Sequence, residues 1–150
     1  MVQLLWHLRG TVRLDGSVSN GTALDRVEEL LKRQHKPVSE RGPEHVAFNA
    51  PLWTTMFIGN WLAMVIYDRG RIWIEKDVRG RVLRYDLRSL HGFVFCLGAA
   101  GLFFTFDAVA GDVLEGLRTG SLAFAWLYGM NILLAVVRVP GLFRRGVVER

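Results

Sequence analysis

Apolar and polar residues alternate from the start of the chain. Leu4, Trp6, Leu8, Val12 and Leu14 share one parity, and His7, Arg9, Thr11 and Arg13 the other. A period of two predicts a strand with one buried face, and Asp15-Gly16 then marks a turn. The period changes over Ala23 to Gln34, where Leu24, Val27, Leu30 and Leu31 fall on one helical stripe. Asp25, Arg26, Glu28, Glu29, Lys32 and Arg33 fill the rest, with Glu28/Lys32 and Glu29/Arg33 at i,i+4. Thr22 with Asp25 approximates a capping box, and Pro37 closes the helix.

Short alternating runs follow: His45 to Ala50, Arg71 to Glu75, and Arg81 to Leu87, with turns at Asp68-Arg69-Gly70 and Asp77 to Gly80. Pro51 to Tyr67 is apolar and uncharged, long enough to raise a third membrane span. A single crossing there would put residues 1–50 and 68–88 on opposite sides, although each segment carries seven Lys or Arg. Gly59-Asn60 also lies between strand-forming residues, so a buried β-hairpin is preferred. Residues 1–88 are therefore expected to form an α+β domain of two layers, one helix on an antiparallel sheet.

The C-terminal third changes the picture. Leu90 to Phe106 and Ser121 to Val137 contain no Asp, Glu, Lys or Arg. Helices of that length rise about 26 Å, close to a bilayer core of about 30 Å. They predict a transmembrane helical hairpin over residues 89–138 with an outward loop at about 107–120, followed by a basic cytosolic tail at 139–150. Small residues at i,i+4 mark packing faces: Gly92, Cys96 and Ala100 on the first helix, Ala125 and Gly129 on the second, with Asn131 as a polar contact.

The net charge of +5 takes its meaning from this topology. Arg79, Arg81, Arg84 and Arg88 precede the first span and Arg138, Arg144, Arg145 and Arg150 follow the second, while the loop between is acidic. This pattern predicts cytoplasmic termini. With no signal-peptide pattern at residues 1–14, the expected location is an integral membrane protein, of the bacterial inner membrane. Cys96 is the only cysteine, so neither an intrachain disulfide nor a cysteine zinc site is expected.

Candidate chemistry is sparse. Gly16 to Thr22 has phosphate-loop spacing between a strand and a helix, but Thr22 stands where the motif needs Lys, so a turn feeding a helix cap is the better reading. His7, His35, His45 and His91 show no ligand spacing, and no nucleophile–base pattern emerges. No catalytic residue, cofactor or metal is implied. The strongest cluster is Arg69, Arg71, Lys76, Arg79, Arg81, Arg84 and Arg88, placed to meet anionic lipid or another anion. No nucleic-acid reader module accompanies it. The expected function is a non-catalytic interaction or accessory module at the membrane surface, with membrane lipid and a protein partner or homo-oligomer engaged through the hairpin. The alternative is an anionic-lipid- or anion-binding regulatory domain using the basic cluster; an enzyme acting on lipid is the weakest reading.

Overall fold

The computed structural model describes residues 2–4, 6–16, 18–50, 63–78 and 80–148. The first alternating run is folded once rather than extended: β1 (Val2–Leu4) and β2 (His7–Arg13) form a tight hairpin in which Leu4 pairs with His7. Helix α1 (Asn20–Arg33) begins earlier than the stripe suggests, because Ser19 rather than Thr22 is its cap. The Ser19 hydroxyl accepts the Thr22 N–H at 3.1 Å, an interaction of about 1 kcal/mol. At the other end His35 turns into the left-handed region (φ 53°). The Lys36 N–H then bonds Leu31 O at 2.9 Å and the His35 N–H bonds Lys32 O at 3.0 Å, closing the last turn before Pro37.

Strands β3 (Val38–Arg41), β4 (His45–Asn49), β5 (Arg69–Asp77) and β6 (Gly80–Arg88) complete a six-stranded sheet of order β1-β2-β6-β5-β4-β3. Every pairing is antiparallel. The hairpin expected about Gly59-Asn60 lies outside the described residues, and so does Arg79. The described remainder of that stretch is residues 63–67, of which Ala63 to Ile66 form a turn.

Period-two alternation divides the sheet into a buried face and an open one. Leu8, Val46, Phe48, Ile72, Leu83, Tyr85 and Leu87 are buried on the inner face, against Leu24, Val27 and Leu31 of α1. Gly10 makes room there for Tyr85, since a Cβ at that position would lie 2.1 Å from the phenol oxygen.

Two helices long and apolar enough to cross a membrane follow: α2 (Leu90–Ala110) and α3 (Val113–Val148). Only Gly111 and Asp112 join them, so most of the stretch expected as an outward loop is helical. Asp107 falls within the last turns of α2, and the other two acidic residues work at a helix start. Asp112 accepts the Leu114 N–H at 2.8 Å, and Glu115 stands in the first turn, where negative charge suits the helix dipole.

Helix α3 is continuous past the second apolar run. It includes π-helical turns at Ala125–Gly129 and Arg144–Val148, and accommodates Pro140 within it. The stretch expected as a basic tail is thus helical to Val148. Ala135, Val139, Phe143 and Val147, spaced every fourth residue, lie in the core. The Phe143 ring stacks on Tyr85 with centroids 4.7 Å apart. Arg26 Nη1 donates to Val147 O at 2.8 Å, tying α1 to the end of α3.

The inner face therefore rests on α1 and on the last turns of α3. Burying Val139, Phe143 and Val147 contributes about 1.5–3 kcal/mol each, together comparable with the about 5–15 kcal/mol net stability of a whole domain. A fragment ending at Arg88 or at Val137 is expected to lack cooperative unfolding by circular dichroism. The full chain carrying Phe143→Ala should lose about 3–5 kcal/mol in denaturant titration. A cooperative, native-like 1–88 fragment would contradict this dependence.

Candidate functional site

The open face of the sheet is the polar parity of β2, β4, β5 and β6. Strand register sets its side chains in rows. Nearest the start of α2, His7, Arg88, Arg69 and Asn49 lie side by side; next come Arg9, Asp86, Arg71 and Ala47; then Thr11, Arg84, Trp73 and His45; then Arg13, Val82 and Glu75. Among the described residues no helix packs on this face.

The face thus gathers Arg9, Arg13, Arg69, Arg71, Arg84 and Arg88 around a half-buried Trp73. Asp86 is its central anion, accepting Arg9 Nε at 2.8 Å and lying 2.9 Å from His7 Nδ1. Arg84 pairs with Glu75 at 2.7 Å. Arg13, Arg69, Arg71 and Arg88 have no carboxylate within 4.0 Å among the described residues. At the β4 side, His45 Nε2 lies 2.9 Å from Glu40 Oε1, a contact that holds the Glu40 carboxyl below its ordinary value.

The basic cluster read from the sequence separates in space. Arg69, Arg71, Arg84 and Arg88 share the open face, joined by Arg9 and Arg13 from β2, which are distant in sequence. Lys76 and Arg81 have the opposite parity at the far end. Arg81 is a structural clamp: its guanidinium donates to Asn20 Oδ1 at 2.8 Å, Gly16 O at 3.1 Å and Val18 O at 2.6 Å. Carbonyl oxygens of the Gly16–Thr22 turn therefore face a cation, the reverse of an anion cradle.

In the hairpin, Gly92, Cys96 and Ala100 are the buried residues of α2. Across from them α3 presents Gly116 and Gly120, not the expected stripe; Ala125, Gly129 and Asn131 are exposed. The Asn131 amide donates to Leu127 O of its own helix at 2.6 Å. A Cβ at Gly116 would lie 2.7 Å from Phe104 O, and one at Gly120 3.0 Å from Ala100 O, so both glycines set the approach of the backbones.

Sheet and hairpin meet in a polar and aromatic junction. Ser89, alone between β6 and α2, donates its N–H to Trp6 O at 2.8 Å and lies 3.2 Å from the Tyr128 hydroxyl. Phe93 contacts Trp6, Phe124 and Tyr128, with centroids 5.3–5.6 Å apart. Beneath lies Lys36, 2% exposed, donating Nζ to Tyr67 O at 2.8 Å. Burial lowers its pKa to about 8, against the opposing attraction of Asp68. Asp68, equally buried, accepts the His91 N–H at 3.4 Å. Burial also pushes the Tyr85 phenol up to about 12.

Among the described residues no group of three or more His, Cys, Asp or Glu is placed to hold a metal ion. Comparison with known proteins brings no relative: no protein family, no curated protein and no solved structure matches the chain.

Two measurements check these arrangements. Gly116→Ile should force the helices apart and cost about 1–3 kcal/mol in detergent unfolding, whereas Gly129→Ala, facing open space, should be neutral; equal effects would refute the seam. For Lys36, both folded and unfolded chains hold the proton below about pH 8, and the burial cost is present in full. Between about pH 8 and 10.5 the unfolded chain binds the proton and the folded chain does not, so this group's contribution to stability rises with pH. The melting temperature of wild type relative to Lys36→Met should therefore climb from pH 8 to 10 and stay level below pH 7; a level difference throughout would contradict it.

Proposed function

We propose that this protein is an integral membrane protein of the bacterial inner membrane, with both termini cytoplasmic. Its α+β domain is a non-catalytic interaction module that presents the open sheet face to an acidic protein surface. The observation that carries this reading is the gathering of six arginines around Trp73 on one face that no helix covers among the described residues. Arginine and tryptophan are the residue types that dominate binding energy at protein interfaces, and unpaired guanidiniums are matched by carboxylates through two-pronged hydrogen bonds.

The membrane part rests on the hairpin's outward surface. Leu102, Phe106, Leu122 and Trp126 are 63–79% exposed, an apolar area that water does not tolerate. Acidic residues mark the tip and arginines the opposite end, the charge order of a cytosolic domain.

Other occupants of the face fit less well. Single-stranded nucleic acid needs two or three stacking aromatics on such a sheet; Trp73 is the one Phe, Tyr or Trp in the rows described, and His7 and His45 each lie 2.9 Å from a carboxylate oxygen. Membrane lipid could reach the row of Arg88 and Arg69, but Arg84 stands about 13 Å further along β6.

A photo-crosslinking residue at Thr11 in the full-length chain in cells should yield a discrete adduct that Arg71→Glu/Arg84→Glu abolishes. The same probe at Lys32 on the outside of α1 should yield none. An adduct indifferent to the charge reversals, or no adduct at Thr11, would reject the face as an interaction surface. Topology is checked by single cysteines at Ser39, Asp77 and Glu115 in a Cys96→Ser background. Only position 115 should react with an impermeant thiol reagent in spheroplasts.

A further inference from the structure

A second basic site lies on the other side of the domain, where α3 passes from its apolar run into the core. A cleft of about 650 Å³ opens between α1 and α3. Two pairs of arginines line it: Arg26 and Arg33 on α1, Arg138 and Arg145 on α3. Each pair is seven residues apart, two helical turns, so each lies along one side of its helix. Leu30, Ala63, Val137 and Leu142 supply apolar wall between them.

The four guanidiniums face a single carboxylate among the described residues, and Arg26 also donates to Val147 O at 2.8 Å. That carboxylate, Glu29, is engaged by Arg33 Nε at 3.1 Å. Arg138 and Arg145 have no carboxylate within 4.0 Å among the described residues. Two glycines shape the space. Gly146 lets α3 approach Leu30, where a Cβ would lie 2.4 Å from Cδ1, while a Cβ at Gly141 would meet nothing within 4 Å.

We propose that this cleft seats the phosphate of an anionic phospholipid from the adjoining leaflet, between the two arginine pairs, with the start of an acyl chain against Val137 and Leu142. Position and chemistry agree. Val137 ends the uncharged run and Arg138 follows it, so the Arg138 end of the cleft adjoins the headgroup level, with Arg145 about 10 Å farther along α3. Guanidiniums match phosphate oxygens geometrically, and the apolar wall distinguishes a lipid from a small soluble anion. This inference rests on the membrane reading of the hairpin but not on any partner of the open sheet face.

The test is native mass spectrometry of the full-length chain released from nanodiscs containing equal phosphatidylglycerol and phosphatidylcholine. Wild type should retain phosphatidylglycerol preferentially. Arg33→Gln/Arg145→Gln should reduce that preference at least about tenfold, while Lys32→Gln/Lys76→Gln, which removes the same charge elsewhere, should not. Gly141→Leu fills the cleft with all four arginines in place and should also abolish the preference. Millimolar inorganic phosphate should displace no lipid. Equal effects of the two double variants, or full retention in Gly141→Leu, would overturn the site. Displacement by inorganic phosphate would assign the cleft to a soluble anion and overturn the lipid. A chain that does not enter nanodiscs would refute the membrane reading itself, an outcome distinct from a chain that inserts and shows no preference.

Discussion

Helix α3 works in two environments, and the rest of the molecule depends on its continuity. Its first half packs on α2 through Gly116 and Gly120. Its last turns supply Ala135, Val139, Phe143 and Val147 to the core of the sheet domain. The Phe143–Tyr85 stack joins the two halves, because Tyr85 lies over Gly10 in the centre of the sheet. A helix is stiff along its axis, so the domain cannot turn relative to the hairpin without breaking this stack. The short Arg88–Ser89–Leu90 connection imposes the same restriction from the other side. Two rigid connections at separate points fix an orientation where one would leave a pivot.

That fixed orientation gives the buried polar groups at the junction a physical setting. Lys36 and Asp68 are each 2% exposed, a costly arrangement that hydrogen bonds to Tyr67 O and from His91 N–H partly offset. A desolvated lysine is held there by geometry, since its ammonium must meet two carbonyl oxygens of one turn. Slippage of the sheet over the hairpin would separate Asp68 from the His91 N–H, while the Lys36 contacts lie within the sheet domain. The junction therefore favours one docking over near alternatives even where an apolar contact would be more stable.

How much of this was legible in the sequence depended on whether one element or two decided the outcome. The strand alternation, the α1 stripe and the Gly92/Cys96/Ala100 face each belong to one element and were readable from its own period. The partner stripe on α3 was not, because acidic residues and glycines between 107 and 120 have loop composition. Only the structure shows Asp112 and Glu115 serving a helix start and Gly116 and Gly120 facing α2. The period-four run Ala135, Val139, Phe143, Val147 was present too, but Arg138, Pro140, Gly141, Arg144 and Arg145 interrupt it and suggest a tail. The open-face site was half legible: parity placed Arg84 and Arg88 on one side of β6, yet bringing Arg9 and Arg13 beside them required the β2–β6 pairing across some 75 residues.

The arginines also divide by cause. The proposed insertion topology would place basic residues close to the ends of the two long apolar helices, which accounts for Arg84, Arg88, Arg138, Arg144 and Arg145. It does not account for Arg9 and Arg13, which are more than 70 residues from either helix in sequence and join the same face through the β2–β6 pairing. Nor does the polar side of an antiparallel sheet require arginine, since Thr, Ser, Glu and Lys satisfy alternation equally well. Like charges on neighbouring strands repel and weaken a sheet, and here Arg69 pairs directly with Arg88. Selection for stability alone would remove that repulsion. Under the proposed function, an anionic partner surface would relieve that repulsion on contact.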